Sequence, residues 1–359
     1  MDSTLRVAVW STLLVGAAAC GGAPTGPPAS LIRRFDLYWS AFDAEYAYFP
    51  YKRVDWDSLR VVHRPRAATA ATQSELVAVL KEMAEPLRDL HVRFITPEGV
   101  TEPTYQPASR ANWDFDAWDR TVRACGLRQA KPNLGYCTLS GVGYVVVGAW
   151  SRTQFSTADL DAVVDRFRDL PAIIIDVRMN SGGDDALAFA LAGRFAALST
   201  VAGYVRFRNG SGHDQFGPET VRRVGPRGAF QFTRPVTVLS GRGVYSSSES
   251  FIAAMRELPN VTILGDTTGG ASGNPREYAL GDGWRFTVSR WIETTADREV
   301  IEWQGIAPDV HVPWDAVAAA SGRDVIIEAA LDRLTRPITA AESWSAGSSA
   351  HRPAQARAW

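Results

Sequence analysis

The sequence predicts a mixed α/β fold with an N-terminal helical lobe, and three observations carry that expectation. Ala172-Ile173-Ile174-Ile175-Asp176-Val177-Arg178 is a nearly unbroken apolar run, the pattern of a parallel strand covered on both faces. Val236 to Leu239, the helix-spaced Phe251, Ile252, Ala254, Met255 and Leu258, and Val261 to Leu264 follow as strand, helix and strand, a βαβ crossover. Leu31 to Leu90, by contrast, shows only helical spacing.

Within that lobe (31–95), Ile32, Phe35, Tyr38, Trp39 and Phe42 form an aromatic stripe, broken near Pro50, that reads as core. Asp55 to Leu59 starts a short helix. Thr72 and Glu75 offer a capping box to the next, whose face is Leu76, Val79, Leu80, Met83 and Leu87. His91-Val92-Arg93-Phe94-Ile95 is strand-like, so His91 stands at a helix-to-strand junction. Residues 96–140, rich in proline, tryptophan and polar groups, read as an irregular covering segment. The α/β core is expected over 141–335. There Gly143 to Val147 opens the sheet, Asp184 to Leu198 is a helix, and Glu299 to Asp309 is a β-turn-β segment. A polar Ala/Ser-rich tail (336–359) reads as disordered.

With 359 residues, 46% of them hydrophobic, the chain can bury a full core, and a net charge of −1 gives no reason to expect a nucleic-acid partner. Arg6, the apolar Val7 to Ala19 and Ala17-Ala18-Ala19-Cys20 read as an export signal over 1–20. Cys20 and the Gly/Pro-rich tether 21–30 resemble the acylated cysteine and linker of bacterial lipoproteins, although Ala17 stands where leucine is usual; ordinary secretion is the alternative. A lipid anchor at Cys20 is the only membrane attachment expected. Cys125 and Cys137 in an exported chain suggest a small disulfide loop, or else two separate buried thiols. Neither cysteines nor histidines show metal-ligand spacing, and no cofactor motif is present.

The stretch with chemical potential is Val244-Tyr245-Ser246-Ser247-Ser248-Glu249-Ser250. A helix beginning near Ser247 would place the Ser246 hydroxyl beside an unpaired first-turn N–H, a nucleophile next to half an oxyanion hole. Ser246-x-x-Glu249 is equally a capping box, which needs no chemistry. Asn180-Ser181-Gly182-Gly183 is a strand-to-helix turn, suited to an oxyanion site or a plain tight turn. Asp184 and Asp185 argue against phosphate there. Asp176 and Arg178 read as a structural pair.

Five segments together resemble one family. Leu87-x-Asp89-x-His91, Gly143-Tyr144-Val145, Asp176-Val177-Arg178-x-Asn180-x-Gly182-Gly183, Ser246-Ser247-Ser248-Glu249 and Glu302-x-x-Gly305-Ile306-x-Pro308-Asp309 stand in the order of the tail-specific, or C-terminal processing, serine proteases. The resemblance implies a crotonase-like ββα core and a peptide or unfolded-protein substrate. Its Ser–Lys branch keeps a lysine in the turn written here Gly269-Gly270-Ala271-Ser272-Gly273; this chain's three lysines, Lys52, Lys81 and Lys131, all precede the serine. No PDZ insert is evident. The chain therefore looks like the branch of tricorn-core protease and interphotoreceptor retinoid-binding protein. Matching residue by residue gives Ser246, His91 and Glu302 as the triad, with Leu90 where tricorn has a second serine.

Chemistry points the same way, since a serine without a nearby amine needs an imidazole base and a carboxylate behind it. The N–H groups of Ser247 and of Gly182 or Gly183 would hold the oxyanion. A structural histidine and a solvent-facing Glu302 remain open. The expected function is an exported serine endopeptidase, bound for the bacterial cell envelope. The alternative is an inactive relative that carries a peptide or apolar ligand; an α/β-hydrolase esterase fits less well, because Val244 and Ser248 stand where its elbow needs glycines.

Overall fold

The computed structural model describes residues 31–107 and 111–336; the leader, Cys20, the tether and the tail lie outside the described residues. The expected α/β architecture is present. A seven-stranded sheet runs Val310–His311, Val261–Gly265, Val236–Ser240, Ile173–Asp176, Val142–Val147, Leu134–Leu139 and Arg128–Lys131. Its first five strands are parallel, with Ile173 opposite both Val236 and Gly143, and the last two are antiparallel. Ile173, Ile174 and Ile175 are fully buried, as a strand covered on both faces requires.

The lobe packs the helices Leu31–Glu45, Trp56–Ala68 and Gln73–Ala84 around the aromatic stripe. Tyr38 lies 4.7 Å from both Phe42 and Phe286, centroid to centroid, and Phe42 lies 5.0 Å from Trp56. Phe286 belongs to a second, antiparallel sheet of four strands, in which Trp284–Val288 pairs with Arg93–Ile95. The lobe is thus stitched to the C-terminal half by a strand that follows His91 directly.

Residues 96–140 differ from expectation. They hold the helix Phe115–Ala124, capped by Asp114, and both antiparallel strands of the central sheet. The sheet therefore opens at Arg128. In the strand Leu134–Leu139, Gly135 and the exposed Thr138 interrupt the apolar pattern, while the Cys125–Cys137 disulfide ties the helix end to it, Cα to Cα 5.9 Å. The helix after Gly183 spans only Asp185–Ala192, capped by the Asp184 carboxylate, and Glu299 to Asp309 is irregular, with a turn at Glu302 to Gln304 and a bridge at Val300 in place of two strands.

Candidate active site

Ser246 ends the connection from the strand Val236–Ser240 and immediately precedes the helix Ser247–Arg256. Its backbone sits at φ 59, ψ −135, a conformation that costs a non-glycine residue energy and is held only where the surroundings enforce it. They do: the Ser246 N–H donates to the Ala271 carbonyl at 2.7 Å, and Gly269 N–H to the Val244 carbonyl at 2.6 Å. The capping-box reading fails here. Ser246 makes no side-chain cap, and Glu249 turns inward, accepting from the Thr268 hydroxyl and, at 2.8 Å each, from the N–H groups of Gly270 and Ala271. Burial pushes the Glu249 carboxyl up to about 8, against those three donors.

The Asn180–Gly183 turn abuts the serine. A Cβ on Gly182 (φ +112) would stand 2.6 Å from the Ser246 Cβ, and one on Gly183 (φ +134) would strike the Trp150 carbonyl at 2.0 Å, so neither position accepts a side chain. Gly182 N–H donates to Asn180 Oδ1 at 2.9 Å, while the N–H groups of Gly183 and Ser247 have no partner among the described residues. Ser247 Oγ donates to the Gly183 carbonyl at 2.6 Å and so fixes the turn against the helix mouth. A cleft of about 340 Å³ opens beside these groups, walled by Ser246, Ser247, Gly183, Ser272, Pro275 and Trp291.

His91 is 4% exposed, and its ring meets Tyr245, the residue before the serine, edge to face with centroids 6.4 Å apart. Its backbone is fixed on both sides: the N–H donates to Asp89 Oδ1 at 2.8 Å, and the carbonyl accepts from Thr287 Oγ1. Burial lowers the ring to about 4, partly opposed by Asp89 and reinforced by Arg93 and Lys52, so the imidazole is neutral at neutral pH. Its Nδ1 is buried and without a hydrogen-bond partner among the described residues.

Glu302 is fully buried rather than solvent-facing, and it does not bond His91. Its Oε1 accepts from Lys52 Nζ at 2.5 Å and its Oε2 from the Ser272 N–H at 3.0 Å. Burial, with the Asp89 charge nearby, raises its carboxyl to about 7. The structure therefore brings Ser246, Ser247 and Gly183 together, sets His91 against Tyr245, and joins Glu302 to a lysine that sequence order had dismissed. Lys52 precedes the serine by nearly two hundred positions, a separation that only the fold closes. Ser272 and Glu293 are hydrogen-bonded to each other in the wall of the cleft; Ser272 stands in the glycine-rich turn already singled out, whereas Glu293 carries no motif. No cluster of metal-ligating side chains occurs among the described residues.

Residues 141–312 match the peptidase family S41, and residues 27–85 the tricorn protease C1 domain. The chain is 30% identical over 175 residues to the carboxy-terminal processing protease CtpA of Bacillus subtilis, a match spanning 48% of this chain and 35% of that protein. It is 29% identical over 186 residues to the carboxyl-terminal-processing protease of Synechocystis sp., covering 50% and 41% of the two chains. The chain thus spans well under half the length of these relatives. A solved structure from Parabacteroides merdae ATCC 43184, assigned as a peptidase, superposes with TM-score 0.77 at 29% identity, over 87% of this chain and 100% of that one. Mature CPAF in complex with lactacystin shares the fold at TM-score 0.64 and 11% identity, over 85% and 98%.

Proposed function

Because the chain is homologous to the carboxy-terminal processing proteases and carries a peptidase family S41 region at 141–312, we propose that it is an exported serine endopeptidase. One observation carries the reading: the Ser246 hydroxyl sits on a strained backbone at a helix mouth and caps nothing. Ser246 Oγ attacks the carbonyl carbon of a bound peptide while the neutral His91 ring takes its proton. The carbonyl oxygen becomes an oxyanion facing the N–H groups of Ser247 and Gly183, the donors left unspent; Gly182 has already committed its own to Asn180. Collapse expels the amine, which leaves with the proton from His91. Water, deprotonated by the same ring, then hydrolyses the acyl-enzyme. Glu302 enters this scheme through Lys52 rather than by touching the ring.

The disulfide Cys125–Cys137 supports export, since such bonds persist in oxidising compartments. No helix among the described residues is long and apolar enough to cross a membrane. Acylation at Cys20 would supply the anchor, and loss of labelled fatty acid from Cys20→Ser tests it.

The decisive experiment for the enzyme is reaction with a serine-directed fluorophosphonate alongside cleavage of an unstructured peptide. Wild type is expected to do both, Ser246→Ala neither, and His91→Ala to react slower by at least about 10³-fold. A folded wild type inert in both assays points instead to the ligand carrier, and labelling that persists in Ser246→Ala removes the assignment.

A further inference from the structure

Lys52 is a buried cation to which the scheme above gives no role beyond its pairing with Glu302. Its side chain is wholly enclosed, with Nζ 2.5 Å from Glu302 Oε1 and 3.9 Å from Asp89 Oδ2. The rings of Tyr48, Trp303 and Tyr46 surround it at 5.5, 5.7 and 6.0 Å. An aromatic cage of that size is filled as well by an uncharged side chain, and burying an ammonium there is costly unless its charge serves its neighbours.

Those neighbours lead in two directions. Asp89 accepts the His91 N–H through Oδ1 and turns Oδ2 toward Lys52, where it has no hydrogen-bond partner among the described residues. Glu302 reaches the opposite way, through the Ser272 N–H, to a residue in the wall of the cleft beside Ser246. Tyr48, the residue that precedes the short helix Phe49–Lys52, donates its hydroxyl to the Ser272 carbonyl and so closes the circuit. One ammonium therefore links the loop that carries the histidine to the loop that borders the serine.

We propose, on the serine-peptidase reading above, that Lys52 is a positioning residue that welds Asp89 and Glu302 into one unit, and that Asp89 is the carboxylate governing His91. Asp89 is covalently two residues from the ring and bonded to its backbone, whereas both Glu302 oxygens are already spent on Lys52 and Ser272. The charges bearing on the ring are Asp89, Arg93 and Lys52; around the network, Glu302 bears on Tyr46, Tyr48 and Glu249, and Glu293 bears on Tyr48.

The test compares Lys52→Met, Lys52→Arg, Asp89→Asn and Glu302→Gln in the full chain by two measurements. The first is the rate of fluorophosphonate labelling at Ser246. The second is the titration midpoint of the His91 ring, followed by NMR of 13C-labelled histidine, which needs no activity. Lys52→Met is expected to slow labelling by about 10²-fold, the scale of a misplaced reacting group, with Lys52→Arg recovering a substantial part. The midpoint should rise in Lys52→Met, fall in Asp89→Asn and move less in Glu302→Gln. Wild-type labelling by Lys52→Met with an unmoved midpoint overturns the proposal, as does a larger shift from Glu302→Gln than from Asp89→Asn. Should Lys52→Met alone fail to fold, the Lys52→Met, Glu302→Gln pair is read against Glu302→Gln. A wild type that never labels defeats the peptidase reading, and the NMR arm then decides the positioning role by itself.

Discussion

Arg178 and Lys52 each lie wholly buried between two carboxylates, yet the two sites are finished differently. Arg178 spreads its planar fork over Asp176, at 3.0 and 2.7 Å, and over Asp324, at 3.0 and 2.8 Å. Those carboxylates are occupied in turn: Asp176 accepts from the Tyr144 hydroxyl, and Asp324 caps the helix Val325–Thr335. Lys52 offers a point charge instead, close to Glu302 and distant from Asp89, with buried polar atoms of Asp89 and His91 left unpaired beside it. A saturated network fixes a fold. An unsaturated one stores the capacity to respond.

The comparison breaks most visibly at Arg178. Arg178→Met leaves two carboxylates facing each other without a cation, and a loss of about 3–5 kcal/mol in urea unfolding is expected. Lys52→Met should cost markedly less, because Glu302, already raised to about 7, can take up a proton and neutralise itself. Equal losses at the two sites would mean that both networks are equally saturated. The disulfide belongs to the saturated side, since Trp118 Nε1 on the tethered helix donates to Tyr144, which donates to Asp176. Replacing Cys125 and Cys137 by serine should lower stability by about 3 kcal/mol, read from thermal or urea melts of the oxidised wild type and the variant.

Glu249→Gln sharpens the same contrast inside the site. Three donors converge on that carboxylate, and an amide NH₂ turned toward one of them leaves a buried N–H or hydroxyl unpaired. A loss of about 1–3 kcal/mol and slower labelling at Ser246 are expected together, because the Gly269–Ala271 segment holds the serine backbone. The smallest effect is a pH slope. The folded His91 midpoint lies below that of the unfolded ring, so the unfolded chain binds the extra proton and stability falls as pH drops from about 6.5 toward 4. Glu302, raised instead, acts oppositely: its contribution is full below about 4.5 and is lost as pH rises through about 7. Wild type should therefore lose about 1 kcal/mol relative to His91→Gln between pH 6.5 and 5.5, a difference that cancels the carboxylates. An identical slope in both proteins would mean that the ring is not buried neutral.

Much of the fold was legible because periodicity is a local signal. The strand Ile173–Asp176, the crossover through Ser247–Arg256 and the aromatic stripe could be read without knowing their partners. Pairing is not local, which is why 128–139 looked irregular until its antiparallel neighbours were in place. The two capping-box patterns make the limit plain. Thr72 accepts the Glu75 N–H at 3.2 Å, the first half of the pattern, while the Glu75 carboxylate accepts from the Ala71 N–H, one residue before the cap rather than at it. Ser246 and Glu249 share the same spacing, but a glycine-rich loop arriving from beyond the next strand captures the glutamate. Likewise Glu302 looked like a triad carboxylate or a surface residue; only the distant Lys52 reveals what it binds.

The helix behind Ser246 is buried along nearly its whole length and grows from the central sheet, whereas His91 is rooted in a different sheet, locked to the lobe by Phe94 and Phe286. The two reacting groups thus have separate foundations. Alignment becomes a property of the seam between them, so a substitution that merely loosens the lobe, far from any peptide, can silence the serine without altering one atom around it.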